Sequence, residues 1–411
     1  MNKKKILNDP VYGFINIPND LLYDIIQHRY FQRLRRIKQL GLSDYVYPGA
    51  LHTRFHHALG ATYLMGEALD TLRSKGHMIF DAEYEAALIA ILLHDIGHGP
   101  FSHTLEFSLF NNVHHEQITK WTMKRLNKEF GGRLDLAIEI YEGKYPRKFL
   151  TQLVSSQLDV DRLDYLKRDC FFTGVHEGTI GAERIIKMLN VVNDELVVEE
   201  KGLYSIESFL SARRIMYWQV YLHKTSISAE KMLIELIRRA KTLTQAGEDI
   251  LATPAFSIFL ERQISASDFE EDPDLLDIFM TMDDTDIWGS IKFWTSHEDP
   301  VLRILSNGLL HRKLFKIQFL DVPANNKIIS EMNQKVGTEY QLDSEYTKYL
   351  VTHGSVSNAG YIAKGESINI LKKDGRVIDV AEAVDLPNIK AISKIVEKHY
   401  LCWPKDVSLI I

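Results

Sequence analysis

The sequence is poor in cysteine: its 411 residues hold only Cys170 and Cys402. Two thiols so far apart build neither a disulfide framework nor a zinc knuckle. Their scarcity fits a reducing compartment and sets the expectation of a cytoplasmic protein. Long apolar runs are missing too. The longest, Ala86 to Leu93, falls far short of the roughly 20 residues that span a bilayer. The lysines of the N-terminal MNKKKILNDP are followed by no apolar segment, so no secretory signal is expected. Nor is there an excess of positive charge. With 49 basic and 55 acidic residues the net charge is −6, which argues against a protein that coats nucleic acid. Repeats and low-complexity tracts are absent as well. A hydrophobic content of 45% and a charged content of 25% exclude a disordered, collagen-like or coiled-coil chain.

What remains is a globular chain long enough for two or three units, or for one large core with an appendage. Helix-period apolar patterns predict helices over Leu21–Leu40, His57–Lys75, Asp81–His94, His115–Glu129, Leu150–Arg168, Ile206–His223 and Ser228–Gln245. A hairpin is expected between Val191 and Tyr204, turning at Asn193-Asp194. The texture changes near residue 300. Lys313–Leu320, Lys348–His353 and Ser367–Glu382 read as β-type, and Lys390–Lys398 as a closing helix. The expectation is a mainly α fold, with a large helical domain over residues 1–300 and a small α+β domain over 301–411.

Histidine is plentiful and uneven: there are 16. Residues 89–103 read IAILLHDIGHGPFSH, an apolar helix ending in His94-Asp95, followed by a glycine-rich turn and then His98 and His103. Adjacent imidazole and carboxylate suit a divalent metal, although such a pair also serves as a plain polar helix end. His114-His115-Glu116 follow closely. Upstream, in RFHHALG, helix periodicity puts His57 on the same face as Ala61, Leu64, Met65 and Ala68, so His57 points inward and His56 does not. In LDVDRLDYLKRD from Leu158, Asp161, Tyr165, Arg168 and Asp169 share one side of a helix. A charged surface helix would look similar, but the interleaved leucines bury part of this one, and a buried aspartate needs a partner. Arg213, Tyr217 and Tyr221 make a further stripe at i, i+4, i+8, suited to a phosphate and a sugar or, equally, to plain core packing.

The order His57, His94-Asp95, Asp161 resembles the HD-domain phosphohydrolases. More specific segments resemble their deoxynucleoside triphosphate triphosphohydrolases: NDP from Asn8, FQRLRRIKQLG from Phe31, YPGA from Tyr47, RFHH from Arg54, HDIGHGPFSH from His94, HEQ from His115, DVDRLDYLKRD from Asp159 and YLHK from Tyr221. The resemblance covers roughly residues 5–240 and fades past 300. It implies an HD-domain helical core and one divalent metal ion (Mg, Mn, Fe, Co, Ni or Zn) held by His57, His94, Asp95 and Asp161. It implies His103 as the proton donor to the leaving group, with His98 and His115 beside it, and Glu106 where the family has an aspartate.

Substrate contacts follow from the same resemblance. Arg54, Arg162 and Arg213 match phosphate binders, and Gln39 and Asp169 match contacts to the sugar 3′-hydroxyl. Leu40 and Tyr221 match residues that crowd the 2′ position. Tyr165 lines the pocket, and Tyr217 replaces a family histidine. Lys5, Gln32 and Arg35 match a regulatory guanine-nucleotide site of mammalian members, in which Gln27 replaces an acidic residue. Val46, Tyr47, His223 and Lys224 match a second regulatory pocket, for a dNTP. The implied partners are a dNTP substrate, a regulatory nucleotide and further copies of the chain as a dimer or tetramer, with no membrane and no nucleic acid. Two alternatives stay open: an HD-type phosphodiesterase or nucleotidase acting on another nucleotide, and a nucleotide sensor without turnover.

Overall fold

The computed structural model describes residues 5–358, 367–383 and 396–408. Its mainly helical architecture is the one expected, with small sheets at the margins. An antiparallel hairpin, β1 (Lys5–Asp9) and β2 (Gly13–Ile17), leads to α1 (Asp20–Gln27) and α2 (Arg29–Arg33). The predicted helix Leu21–Leu40 is thus interrupted. His28 turns extended and its ring accepts the Tyr30 N–H, which ends one helix and caps the next.

The centre is α3 (Arg54–Ser74) against α4 (Asp81–Leu93). Every residue of α4 from Ala86 to Leu93 is buried, so this helix is apolar all round and needs protein on every side. α3 starts ahead of the predicted His57 because Thr53 and His56 cap each other across its first turn. Around this pair lie α5 (His103–Leu109), α6 (His115–Glu129), α7 (Asp135–Tyr141), α8 (Lys148–Val154) and α9 (Val160–Thr173). The predicted helix Leu150–Arg168 is two helices. Ser155 is extended, and the Asp159 carboxylate accepts the Arg162 N–H to start α9 afresh.

After α10 (Ala182–Met188) the expected hairpin forms from β3 (Leu189–Val192) and β4 (Glu195–Glu199). Asn193 and Asp194 both take positive φ, as a tight hairpin turn requires. α11 (Leu203–Met216) gives way to a π-helical turn, Tyr217–Tyr221, and α12 (Lys224–Gln245) follows. The predicted helix Ile206–His223 therefore widens in its last turn, which takes Tyr221 off the regular stripe begun by Arg213 and Tyr217.

Beyond residue 310 the strands are β5 (Lys316–Leu320), β6 (Thr352–Asn358), β7 (Asn369–Leu371), β8 (Val377–Asp379) and β9 (Val396–Trp403). The run predicted at Lys348–His353 starts later, at Thr352. The predicted closing helix is corrected where it is described: Val396–Lys398 open β9, whose backbone is taken up by antiparallel partners β5 and β6 on its two sides. Residues 390–395 of that prediction lie outside the described residues. β7 pairs in parallel with β4, so a segment near the end of the chain joins the sheet of the earlier hairpin. One apolar cluster extends from Ile15 to Val407. No described helix is long and apolar enough to cross a membrane.

Candidate active site and metal centre

Three elements converge on one point. The first turn of α3 delivers His57, fully buried as its helical face predicts. The end of α4 delivers His94 and Asp95, and the first turn of α9 delivers Asp161. His57 Nε2 lies 3.3 Å from His94 Nε2 and 3.1 Å from Asp161 Oδ1. His94 Nε2 lies 3.4 Å from the same carboxylate oxygen. Asp95 reaches in with Oδ1 3.4 Å from His94 Nε2 and Oδ2 3.7 Å from His57 Nε2, while also pairing with the Arg54 guanidinium.

The donor set fits a divalent cation. His57 donates Nδ1–H to Asp164 Oδ2 at 2.7 Å, and His94 donates Nδ1–H to the Ile91 carbonyl at 2.6 Å. Both rings then turn an Nε2 lone pair to the shared point, the orientation that metal-ligating histidines take from their outer partners. His57, His94 and Asp161 have their ligand atoms within 4.8 Å of one another. The acidic lining draws positive charge to this point. Burial opposes protonating His57, yet the hydrogen bonds it gives to Asp161 and Asp164 lift its imidazole to about 10, so a cation bound here would take the place of the Nε2 proton. Burial likewise opposes ionising Asp95 and Asp161. His94, Arg54 and His57 around Asp95, and His57 and His94 bonded to Asp161, nevertheless hold both carboxyls well below the ordinary range.

Beside this centre the expected histidine cluster assembles. His98 stacks on His115 with centroids 3.9 Å apart, and its Nδ1 is 3.4 Å from Asp95 Oδ1. Glu106 accepts the His115 backbone N–H at 2.8 Å and stands 3.1 Å from its Nδ1, so the longer side chain still reaches the ring. Gly97 makes the approach possible: a Cβ there would sit 2.3 Å from the His115 carbonyl and 2.4 Å from Thr119 N. His103 starts α5, and its side chain lies outside the described residues.

A second set gathers around Tyr165 and Tyr221. The Tyr165 ring is 6.5 Å from that of His57 and 6.1 Å from that of Tyr221, with Tyr217 5.1 Å beyond. Tyr221 donates its hydroxyl to Asp169 Oδ2 at 2.8 Å. Burial first, and then Asp169, push its phenol well up, so it remains a donor. Arg162 pairs with Asp159, and Arg213 donates to Gln157 at 3.0 Å. Arg162 Nε, Arg213 Nε and Gln39 Oε1 are buried with no hydrogen-bond partner among the described residues. Such atoms are costly unless a ligand completes them. Leu40 packs half-buried on the core.

The regulatory candidates fall into two other places. Lys5 lies over the Tyr23 ring, Gln32 donates to the Ile26 carbonyl, and Arg35 donates to Gln32 while covering the Phe55 ring. Gln27 is exposed at the end of α1. Tyr47 donates to the Gln219 carbonyl and faces the His223 ring, with Val46 next to it in sequence. Lys224 lines a pocket of about 920 Å³ together with Arg312, Lys313, Lys316 and Lys405.

Several residues of the site escaped sequence reasoning. Asp164 holds His57. It is itself bound by Arg168, which also pairs with Asp9 at 2.7 Å. Arg33, fully buried, donates to the carbonyls of Met282 and His98, and Asp284 accepts the N–H groups of Lys38 and Phe101. Arg33 sits among other charges in FQRLRRIK, Asp164 in DRLDYLKRD and Asp284 in DDTD, so no local signal sets them apart or names their partners.

Comparison with known proteins agrees with this geometry. Residues 54–169 match the HD domain and residues 180–252 the HD associated region. The uncharacterized protein YwfO of Bacillus subtilis is 32% identical over 99% of this chain and 94% of its own length. The human deoxynucleoside triphosphate triphosphohydrolase SAMHD1 is 31% identical over 57% of this chain, which spans 44% of that protein. The crystal structure of a phosphohydrolase from Bacteroides thetaiotaomicron superposes with a TM-score of 0.95 at 52% identity, over 98% of this chain and all of the other. With relatives matched along nearly its whole length and the metal-ligand geometry in place, the chain belongs to the HD-domain phosphohydrolases.

Proposed function

We propose that this phosphohydrolase is a metal-dependent dNTP triphosphohydrolase that converts a dNTP and water to a deoxynucleoside and inorganic triphosphate. The observation that carries the reading is what stands next to the histidine–aspartate centre. Tyr165 lies beside His57 and within electrostatic reach of Arg162 and Arg213. Arg162 Nε, Arg213 Nε and Gln39 Oε1 are buried with no partner among the described residues, two donors for phosphates and an acceptor for a sugar hydroxyl. Relatives named for this activity, from human and Dictyostelium discoideum, support it at 31% and 27% identity.

In this reading His57, His94, Asp95 and Asp161 hold one divalent ion. When bound it supplies positive charge against phosphoryl oxygens and a more acidic water. Arg54 and Arg162 bind phosphates, and Arg213 the terminal one. The departing group is the sugar 5′-oxygen, a poor leaving group, so a proton must be delivered to it. His103 delivers that proton, with Glu106 fixing His115 and His115 stacked on His98. Gln39 and Asp169 hold the 3′-hydroxyl, Leu40 and Tyr221 crowd the 2′ position, and Tyr165 and Tyr217 line the sugar pocket. The protein works as a homo-oligomer that takes a regulatory nucleotide.

Incubation with each dNTP and a divalent metal, followed by phosphorus NMR, tests the proposal. Inorganic triphosphate is expected, and in oxygen-18 water the label belongs on its formerly nucleoside-linked phosphorus. A deoxynucleoside monophosphate with pyrophosphate, or a diphosphate with phosphate, would make it a different nucleotidase. A bound but unaltered dNTP would make it a sensor.

A further inference from the structure

His52 is a buried histidine outside the metal centre and the histidine cluster. Its side chain is fully shielded, and Nε2 lies 2.7 Å from Asp169 Oδ1. The ring stacks on Phe172, with centroids 4.5 Å apart and planes 16° from parallel. Nδ1 is buried with no hydrogen-bond partner among the described residues. A proton there would be a buried unpaired N–H, so the ring carries its proton on Nε2, facing the aspartate. The backbone of the same residue does a second job: its carbonyl accepts the Gln39 N–H at 3.0 Å. The loop is pressed against the end of α9, since a Cβ at Gly49 would sit 2.6 Å from the Phe172 carbonyl.

We infer that His52 is the positioning residue of the sugar subsite, fixing both Asp169 and Gln39 so that they meet the 3′-hydroxyl together. The inference rests on the dNTP reading above. One residue holds the carboxylate through its side chain and the amide residue through its main chain, so a shift of the loop would move both groups at once. Tyr221 clamps the other carboxylate oxygen, and Asp169 is left one orientation. A wholly structural role for His52 would weaken every substrate equally. A positioning role selects for substrates that carry the hydroxyl.

The test compares the dNTP that the wild-type protein hydrolyses fastest with its 2′,3′-dideoxy counterpart. His52→Leu keeps bulk and loses the donor. We expect kcat/KM to fall by about tenfold or more on the dNTP and by less than about threefold on the dideoxy substrate. His52→Gln places an amide N–H the same number of bonds from the backbone and is expected to restore most of the loss. Phe172→Leu removes the stacking partner at a half-buried position, and a smaller loss confined to the dNTP is expected. Equal losses on both substrates, or a Gln variant as impaired as the Leu variant, would overturn the inference. If His52→Leu does not fold, the Phe172→Leu comparison decides alone. A wild-type protein that releases triphosphate from no dNTP overturns the functional reading itself, and this inference with it.

Discussion

Asp164 accepts the Nδ1–H of His57 at 2.7 Å with both side chains sealed from solvent, and Arg168 donates to both oxygens of the same carboxylate. The pairing fixes which nitrogen of His57 is free for a cation. Asp164→Asn removes the charge, and its amide can present a donor where an acceptor is required. Losses of about 10- to 100-fold in metal affinity are typical when such an outer partner is changed, and that range is expected here by calorimetric titration. His94→Ala should abolish both metal binding and hydrolysis in a folded protein. Full metal occupancy with normal turnover in His94→Ala would refute the assignment of the centre.

Tyr221 is held by Asp169 and packed edge-on against Tyr165 and Tyr217. In the proposed function this ring is the group that crowds the sugar 2′ position. Tyr221→Ala should therefore narrow the preference for dNTPs over NTPs, read as the ratio of kcat/KM values. An unchanged ratio would place discrimination elsewhere.

Under the proposed regulation, Gln27 stands where relatives carry the acidic residue that reads guanine. A carboxylate accepts two charge-assisted hydrogen bonds from the guanine N1–H and 2-amino groups, whereas an amide offers one acceptor and turns an NH₂ toward those donors. Losing such a pair costs on the order of a few kcal/mol, enough to erase base selectivity. GTP is therefore expected not to be an obligatory activator. Steady-state rates on dATP with and without GTP check this, and a strict GTP requirement that survives Gln27→Ala would contradict it.

Glu235 gives a pH signature. It is buried, and burial pushes its carboxyl to about 7 against the downward pull of Arg238 and Lys231. The folded value lies above the ordinary one, so the native state binds a proton that the unfolded chain has released. Stability from this group is present below the ordinary carboxyl range and is lost as pH rises through about 7. Glu235→Gln should raise the melting temperature more at pH 8 than at pH 5, with about 1–3 kcal/mol at stake. A larger gain at pH 5 would reverse the sign of the argument.

Most of the helices and the histidines of the candidate metal centre were legible in the sequence because they announce themselves locally. The face that carries Ala61, Leu64, Met65 and Ala68 dictates where His57 points, and His94-Asp95 sit where an apolar helix runs out. What stayed hidden depends on distant partners. Arg168 lies one helical turn from Asp164, but nothing near the pair announces that Asp164 will meet His57 or that Arg168 will meet Asp9, and nothing near His52 announces Asp169. The break before α9 was masked by apolar residues in phase on both sides of it, although Asp159 is a good helix cap. The first residues of β9, Val396–Lys398, read as helix in isolation because their strand character comes from a partner strand, β6, that only the tertiary fold supplies.

The parallel pairing of β4 with β7 also governs when the molecule can be finished. β4 emerges from a ribosome well before its neighbour exists, and until Asn369–Leu371 arrives its outer edge has no partner. Pairings between strands so far apart in sequence form late and slowly, and unpaired edges invite contacts with other chains. During synthesis, then, the helices around the histidines assemble first, and a nascent chain stalled before β7 carries a sticky strand that the completed protein conceals.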